Sequence, residues 1–135
     1  MKETDNPRRS VGAVTILVPD YDEAIDYFVG TLGFTLIEDT RLSEGKRWVL
    51  VSTGAGTSLL LAKAEGEHQI AAIGNQSGGR VFLFLTTDDF WRDYRTYMSR
   101  GVAFREEPRH EEYGIVAVFT DKYGNQWDLI ERASS

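Results

Sequence analysis

The strongest constraint on the fold is an internal repeat, because two stretches of the chain follow the same order of elements. Residues 14–38 and 82–106 each read as a short apolar strand, an acidic turn, an amphipathic helix, a glycine and another strand. A gapless shift of about 68 residues places Asp20 on Asp88 and brings the two glycines into register. Two copies of one supersecondary unit in a small chain predict a pseudo-twofold α+β fold with a ligand between its halves.

Each repeated unit reads as one strand, one helix and three further strands. Asp20 caps the first predicted helix together with Glu23, and Gly33 ends it. The second predicted helix is capped by Thr87 or Asp88. Each helix must bury its apolar stripe on a sheet. We therefore predict two βαβββ modules that form a cupped, mixed β-sheet with the helices on its outer face.

The chain length of 135 residues corresponds to a single domain with a real core. A segment rich in Gly, Asn and Ser separates the two units and reads as a linker that follows a short helix. The predicted bounds are one domain over 11–131, modules over about 11–63 and 80–131, a linker over 64–79, and tails over 1–10 and 132–135.

Composition excludes several classes of function. The net charge is −6 and no basic cluster exceeds Arg8-Arg9, which argues against a nucleic-acid partner. The chain has no cysteine, so it has no disulfides, no thiolate metal ligands and no cysteine nucleophile. No apolar run approaches the roughly 20 residues that cross a bilayer. We predict a cytoplasmic protein with no membrane partner.

Two motifs carry a family resemblance that covers about residues 11–131. The segment D-Y-D-E-A-I-D-Y-F-x-x-x-L-G-F over 20–34 and the ending F-T-D-K-Y-G-N-Q-W-D-L-I-E over 119–131 resemble the vicinal oxygen chelate superfamily. That superfamily includes glyoxalase I, bleomycin-resistance proteins and extradiol dioxygenases. The resemblance implies the paired βαβββ fold and a homodimer, and it leaves the activity open because one scaffold serves many functions.

Enzymes of this family hold a divalent metal on the floor of the cup, usually with two His and one Glu. The corresponding positions here are Ala13 on the first strand, Phe82 or Thr86 on the matching strand, and Asp128. Only Asp128 is an ordinary metal ligand, and methyl or phenyl groups supply no donor. The resemblance therefore predicts that the family's metal site is absent and that no cofactor is bound.

The chain has two histidines that could rebuild a site. His68 lies in the polar linker helix and is predicted to be exposed. His110 stands beside Glu111 and Glu112, so a rim metal site is the less favoured interpretation and a general base at the mouth of the cup a better one. The candidate catalytic residues are His110 and Asp128.

Alternation along the strands predicts which side chains face the cup. If Val14 and its neighbours pack under the helix, their alternate residues line an apolar, aromatic pocket with a few orienting polar groups. The predicted ligand-binding residues are Thr15, Trp48, Phe82, Phe84, Thr86, Tyr113 and Asp128, with Gln126 and Arg47 as further polar candidates. The alternative is that the aromatic residues simply fill the core.

Asp128 stands in an apolar strand between Trp127 and Leu129, where a lone carboxylate is costly to bury. We expect it to hold a cation or hydroxyl of a ligand, or to form an internal salt bridge with Arg47 or Arg80.

Three functions fit these observations. The favoured one is a metal-free, small-molecule-binding homodimer with an aromatic cup. The second is a metal-dependent lyase or dioxygenase of the glyoxalase type, with a divalent metal on displaced ligands, so whether the chain is an enzyme stays open. The third is a dimeric interaction protein whose cup is closed by side chains. Metal content separates the first two, and a ligand-induced rise in stability separates the first from the third.

Overall fold

The computed structural model describes residues 7–134 and contains the repeated architecture that the sequence predicts. The first module comprises β1 (Ala13–Val18), α1 (Tyr21–Ile25) with a π-helical continuation (Asp26–Thr31), β2 (Thr35–Ser43), β3 (Lys46–Ser52) and β4 (Ser58–Lys63). A short helix, α2 (Gly66–Ala72), follows. The second module comprises β5 (Val81–Thr86), α3 (Phe90–Ser99), β6 (Ala103–Phe104), β7 (Arg109–Glu111), β8 (Gly114–Thr120) and β9 (Gln126–Arg132).

The strands form two mixed sheets, one for each module, which confirms the predicted fold class. The first sheet has the order β1-β4-β3-β2, and the second has the order β5-β9-β8-β6 with β7 also paired to β8. The first strand of each module runs parallel to the last, and the other pairs are antiparallel. Strand β7 was not predicted, and β9 continues through Arg132, where the sequence predicted a tail. Most of the predicted N-terminal tail lies outside the described residues.

One aromatic cluster joins the two modules. The ring of Phe28, in the helical segment of the first module, lies 6.3 Å from that of Trp127 on β9, and Trp127 stacks on Phe119 at 5.7 Å. The hydroxyl of Tyr97 on α3 donates to the carbonyl of Leu32 over 2.7 Å. Because Phe28, Phe119 and Trp127 are almost completely buried, the helix-bearing faces of both sheets share a single core.

The cap of the second helix differs from the prediction by one residue. Asp89, not Thr87 or Asp88, is the N-cap, because its carboxylate accepts the Arg92 amide at 3.1 Å. The first helix has its cap at Asp20, as predicted, but its second half is π-helical. A π-turn accommodates one residue more than an α-turn. The two helices therefore end in register at their glycines but begin one residue out of register.

The predicted linker is an ordered junction between the modules. The Gln76 side chain accepts the Leu17 amide at 2.7 Å and donates to the Thr15 carbonyl at 3.0 Å, which occupies the free edge of β1. At Gly74, where φ is +73°, an added Cβ would lie 1.9 Å from the carbonyl oxygen of Tyr123. Only glycine fits a left-handed conformation at so close an approach. The linker thus contacts both modules.

The β8–β9 hairpin loop is held by a buried carboxylate. Asp121 accepts the backbone amides of Tyr123 and Asn125, the Asn125 side-chain amide, and the Trp127 indole N–H at 3.0 Å. Four donors satisfy a group that would otherwise be costly to bury. The Gly124-Asn125 sequence therefore serves the loop, as the sequence predicts. Across residues 7–134, no helix is long and apolar enough to cross a membrane.

Candidate functional site

The face of the first sheet opposite α1 contains a cavity of about 400 Å³, which we call the first-sheet cavity. Along β4, Leu59 and Leu61 are buried in the core, so Leu60 and Ala62 point to the opposite face. Trp48 on β3 forms part of the wall, and 37% of its surface is exposed. The lining residues are Thr15, Leu17, Tyr21, Leu42, Lys46, Arg47, Trp48, Leu60, Leu61, Ala62, Lys63, Glu65 and Gln69.

The first-sheet cavity lies where β3 and β4 separate. Their pairing ends at Val49 and Leu61, so the next β3 amide that points toward β4, that of Arg47 two residues away, lacks a partner on that strand. The hydroxyl of Tyr21, the first residue of α1, accepts this amide at 3.1 Å. Because a side chain replaces the strand ladder here, the sheet opens without leaving a backbone donor unsatisfied.

Arg47 closes the helix-side end of the first-sheet cavity. Its guanidinium pairs with Asp39 at 2.7 Å and with Asp22 of α1 at 2.9 Å, and lies over the Tyr21 ring at 5.1 Å. The hydrogen bonds from Arg47 lower the pKa of Asp39 below its ordinary value. Arg47 therefore forms ion pairs with two other carboxylates. The prediction of a salt bridge from Arg47 to Asp128 is wrong.

The corresponding face of the second sheet carries three of the other predicted residues. Phe84 on β5 pairs with Asp128 on β9, and Thr86 pairs with Ile130. The Phe84 ring is 65% exposed, so it does not fill the core. We call this surface the second concave face. Paired residues project to the same side of a sheet, so Phe84 and Asp128 are neighbours on it.

Asp128 is the unusual group on the second concave face. Its Oδ1 is buried and accepts no hydrogen bond from any group within residues 7–134. Burial raises the pKa of this carboxyl, the Arg109 guanidinium opposes the rise, and Glu106 adds to it. The expected salt bridge to Arg80 is also absent, since no ion pair within residues 7–134 includes Asp128.

Arg109 itself belongs to an ion-pair cluster at the edge of this sheet. It bonds Glu106 at 3.1 Å and Glu111 at 2.5 Å, and Glu106 also accepts the Val118 amide at 3.1 Å. The guanidinium is therefore engaged by carboxylates of its own strand and of the preceding loop. Among the described residues, Asp128 therefore has no direct ion pair, and Arg109 acts on it only at a distance.

The two candidate catalytic residues lie on opposite faces of the second sheet. His110 on β7 pairs with Ile115 and lies 6.3 Å from the Trp91 ring of α3, on the side that carries the helix. Asp128 projects from the other side. A general base at His110 therefore cannot share a substrate with Asp128 in one chain. His68 lies exposed on α2, as predicted.

The predicted ligand-binding residues fall into separate groups. Thr15 and Trp48 line the first-sheet cavity. Phe82, Phe84 and Thr86 line a second, more apolar groove of about 540 Å³ together with residues of β1 and β4. Phe82 also packs against the core. Of the remaining two, Asp128 lies beside Phe84 on the second concave face, and Tyr113 lies in the turn between β7 and β8.

The residues at the family's metal positions do not form a ligand set. Ala13 offers a methyl group, Phe82 a phenyl ring and Thr86 a hydroxyl, and the one carboxylate, Asp128, is on the other sheet from Ala13. Within the described part of the chain, no three His, Asp or Glu side chains are grouped so that they could hold a metal ion.

The sequence profile of the glyoxalase/bleomycin resistance protein/dioxygenase superfamily matches residues 10–129. The chain belongs to this superfamily. A relative from Shewanella frigidimarina, itself uncharacterized, is 54% identical over 127 residues, which cover 92% of this chain and 94% of the relative. The glyoxalase superfamily membership thus rests on nearly the full length of both proteins.

Solved structures of the same superfamily share the fold. TnmS3, an antibiotic-binding protein from Streptomyces sp. CB03234, superposes with a TM-score of 0.74 at 31% identity, covering 93% of this chain and 98% of TnmS3. A superfamily member from Sphaerobacter thermophilus superposes with a TM-score of 0.72 at 30% identity, with coverage of 93% and 98%. The likeness covers both modules.

Sequence reasoning missed part of the first-sheet cavity. Leu60 and Ala62 follow from the same alternation that identified Thr15, and applying it to β4 would have found them. Tyr21, Glu65 and Gln69 come from the starts of two helices, and their approach to the sheet depends on how the chain turns after each strand. No local pattern signals it.

Proposed function

We propose that this protein is a metal-free member of the superfamily that binds a small molecule in the first-sheet cavity. The observation that carries the proposal is an apolar cavity with a partly exposed tryptophan, Trp48, in its wall. Small-molecule sites are concave and mainly apolar, with a few polar groups that orient the ligand, and about 300–1,000 Å³ is their usual volume. TnmS3, which is described as antibiotic-binding, supports the same class of function.

The proposal includes a homodimer, as the resemblance implies. Thr15 and Trp48 line the first-sheet cavity, whereas Phe84 and Asp128 are neighbours on the second concave face. A second copy that placed its second concave face over the first-sheet cavity would reunite these residues. We expect light scattering after size exclusion to give a dimer mass at micromolar concentration, and a monomer would contradict this part of the proposal.

A cytoplasmic location also belongs to the proposal.

The direct test of ligand binding is a thermal-shift screen of aromatic and apolar small molecules with the full chain. A ligand that binds only the folded state raises stability by about 2.7 kcal/mol at one hundred times its Kd. We expect hits that also shift the indole N–H resonance of Trp48. A screen without such a hit would favour the closed interaction protein instead.

The metal-free part of the proposal has its own test. Elemental analysis after incubation with Zn, Ni, Mn and Fe(II) and dialysis should find less than stoichiometric metal. The metal-dependent lyase or dioxygenase keeps one observation in its favour, the Oδ1 of Asp128, which accepts no hydrogen bond from residues 7–134. Near-stoichiometric metal that is lost in Asp128→Asn would establish that alternative.

A further inference from the structure

The charges around the first-sheet cavity have the opposite sign to the protein as a whole. The chain has a net charge of −6, yet Lys46, Arg47 and Lys63 line the cavity with a single acidic residue, Glu65. Arg47 is neutralised by two aspartates. Neither lysine has a carboxylate oxygen within 4.0 Å anywhere in residues 7–134. Within the described residues, the charges without an ion-pair partner at this rim are therefore two cations and one carboxylate, that of Glu65.

The two lysines stand at the same end of the first-sheet cavity. Strands β3 and β4 are antiparallel, and their pairing stops at Val49 and Leu61, so Lys46 and Lys63 both lie beyond this last pair. Lys46 is two residues from Trp48 on β3 and projects from the same face as the indole ring. A ligand lying against Trp48 would therefore extend toward the ammonium group of Lys46. Lys63 alternates with Ala62 and shares the face of Leu61, so it reaches the cavity only at the open end beyond the last strand pair.

We propose that the first-sheet cavity selects planar aromatic molecules that carry an acidic group. The ring lies against Trp48 and Leu60, and the anion meets Lys46, with Lys63 adding positive charge at the open end. This inference rests on the proposed function and adds the chemical class of the ligand. A neutral ligand would leave both lysines unused, and a cationic ligand would be repelled by them. An acidic group on the ligand balances the net positive charge that Lys46, Lys63 and Glu65 together leave at the cavity.

The test compares three ligands with the same ring: 2-naphthoate, 2-naphthalenemethanol and 2-naphthylmethylammonium. Calorimetry with the full chain at low salt should give 2-naphthoate an affinity about tenfold above that of the alcohol, with the ammonium weakest. Added salt should reduce the preference for the anion, because the rim is open to solvent. All three should shift the Trp48 indole resonance.

Variants of the lysines locate the preference. Lys46→Gln should reduce the ratio of naphthoate to alcohol affinity severalfold, and Lys63→Gln, on the other face of the sheet, should reduce this ratio less. Lys122→Gln is the matched control, since Lys122 lies in the β8–β9 loop and pairs with Glu23 at 3.8 Å. The control should retain the full ratio.

The outcomes separate this inference from the function on which it rests. Equal affinities for naphthoate and alcohol at Trp48 would overturn the anionic class and leave the small-molecule function standing. If the preference for naphthoate survives in both lysine variants, these lysines are not the groups that recognise the anion. No binding by any of the three ligands would count against the apolar cavity itself, and the inference would fail with it.

Discussion

The two sheets derive from the same repeated unit, yet their concave faces differ in shape and charge. The first face is closed into a cavity by α2 and Tyr21, and among the described residues the charges at its rim without an ion pair are Lys46, Lys63 and Glu65. The second leaves Phe84 exposed and contains the poorly partnered carboxylate of Asp128. A repeat thus fixes the order of elements, while the residues between them decide what each face can bind.

The largest expected effect comes from breaking the junction that relates the two sheets. Gly74→Ala places a methyl group 1.9 Å from the Tyr123 carbonyl oxygen in a left-handed conformation. Strain and overpacking together should lower the free energy of unfolding by about 3 kcal/mol. Urea denaturation measures the loss.

Gly78→Ala is the control for that substitution. Gly78 has a similar φ of +67°, but an added Cβ meets nothing within 4 Å. It should cost about 1 kcal/mol from the backbone conformation alone. Equal losses at Gly74 and Gly78 would show that the contact with the β8–β9 loop contributes nothing to stability.

The second prediction compares the exposed aromatic residues of the two faces. Trp48→Ala should weaken any ligand found in the thermal-shift screen by about tenfold or more, because the ring forms the cavity wall. Phe84→Ala should leave binding by a monomer unchanged. Calorimetry at two protein concentrations, one where the protein is monomeric and one where it is dimeric, distinguishes binding by one chain from binding that needs a partner. A loss in Phe84→Ala that appears only where the protein is dimeric would place the second concave face over the cavity of a partner.

The smallest effect concerns two carboxylates whose pKa values shift in opposite directions. Arg47 lowers the pKa of Asp39, so the stability it contributes is complete above the unfolded pKa of about 3.9 and is lost as the pH falls through the folded pKa. Burial raises the pKa of Asp128, so its destabilising charge is fully present above the folded pKa and disappears below the unfolded one.

Urea denaturation of Asp39→Asn and Asp128→Asn from about pH 3 to about pH 7 tests both signs. Near neutral pH, Asp39→Asn should be less stable than the parent and Asp128→Asn more stable. Each difference should stay below about 1 kcal/mol, since both groups are partly solvated, and should shrink toward acid pH. Two variants that shift stability in the same direction would contradict the opposite environments assigned to Asp39 and Asp128.

Much of the fold could be predicted because its signals are local. The spacing of apolar residues and the Asp20 and Gly33 signals gave the repeated unit, and alternation placed Ile16 and Val18 in the core. The predicted N-cap of the second helix was wrong because a gapless alignment of the two repeats could not detect the extra residue of the π-turn in the first helix. Strand β7 was missed because three residues carry no clear period.

The candidate site was less predictable because it depends on contacts between distant residues. Alternation correctly assigned faces to Thr15 and Phe84, but it treated the two faces as one cup. Alternation also could not predict which charged residues lie near Asp128. Arg47 is taken by Asp22 and Asp39, and that pairing follows from how α1 packs on the first sheet.

By itself, the sequence determined the repeat, the strand and helix types and the side chains that share a face, because these follow from spacing along the chain. The tertiary structure alone decided where β3 and β4 separate, which helix starts reach the cavity, and which charges remain unpaired at its rim. Those features depend on strand register and helix docking, which are set by contacts between residues far apart in the sequence.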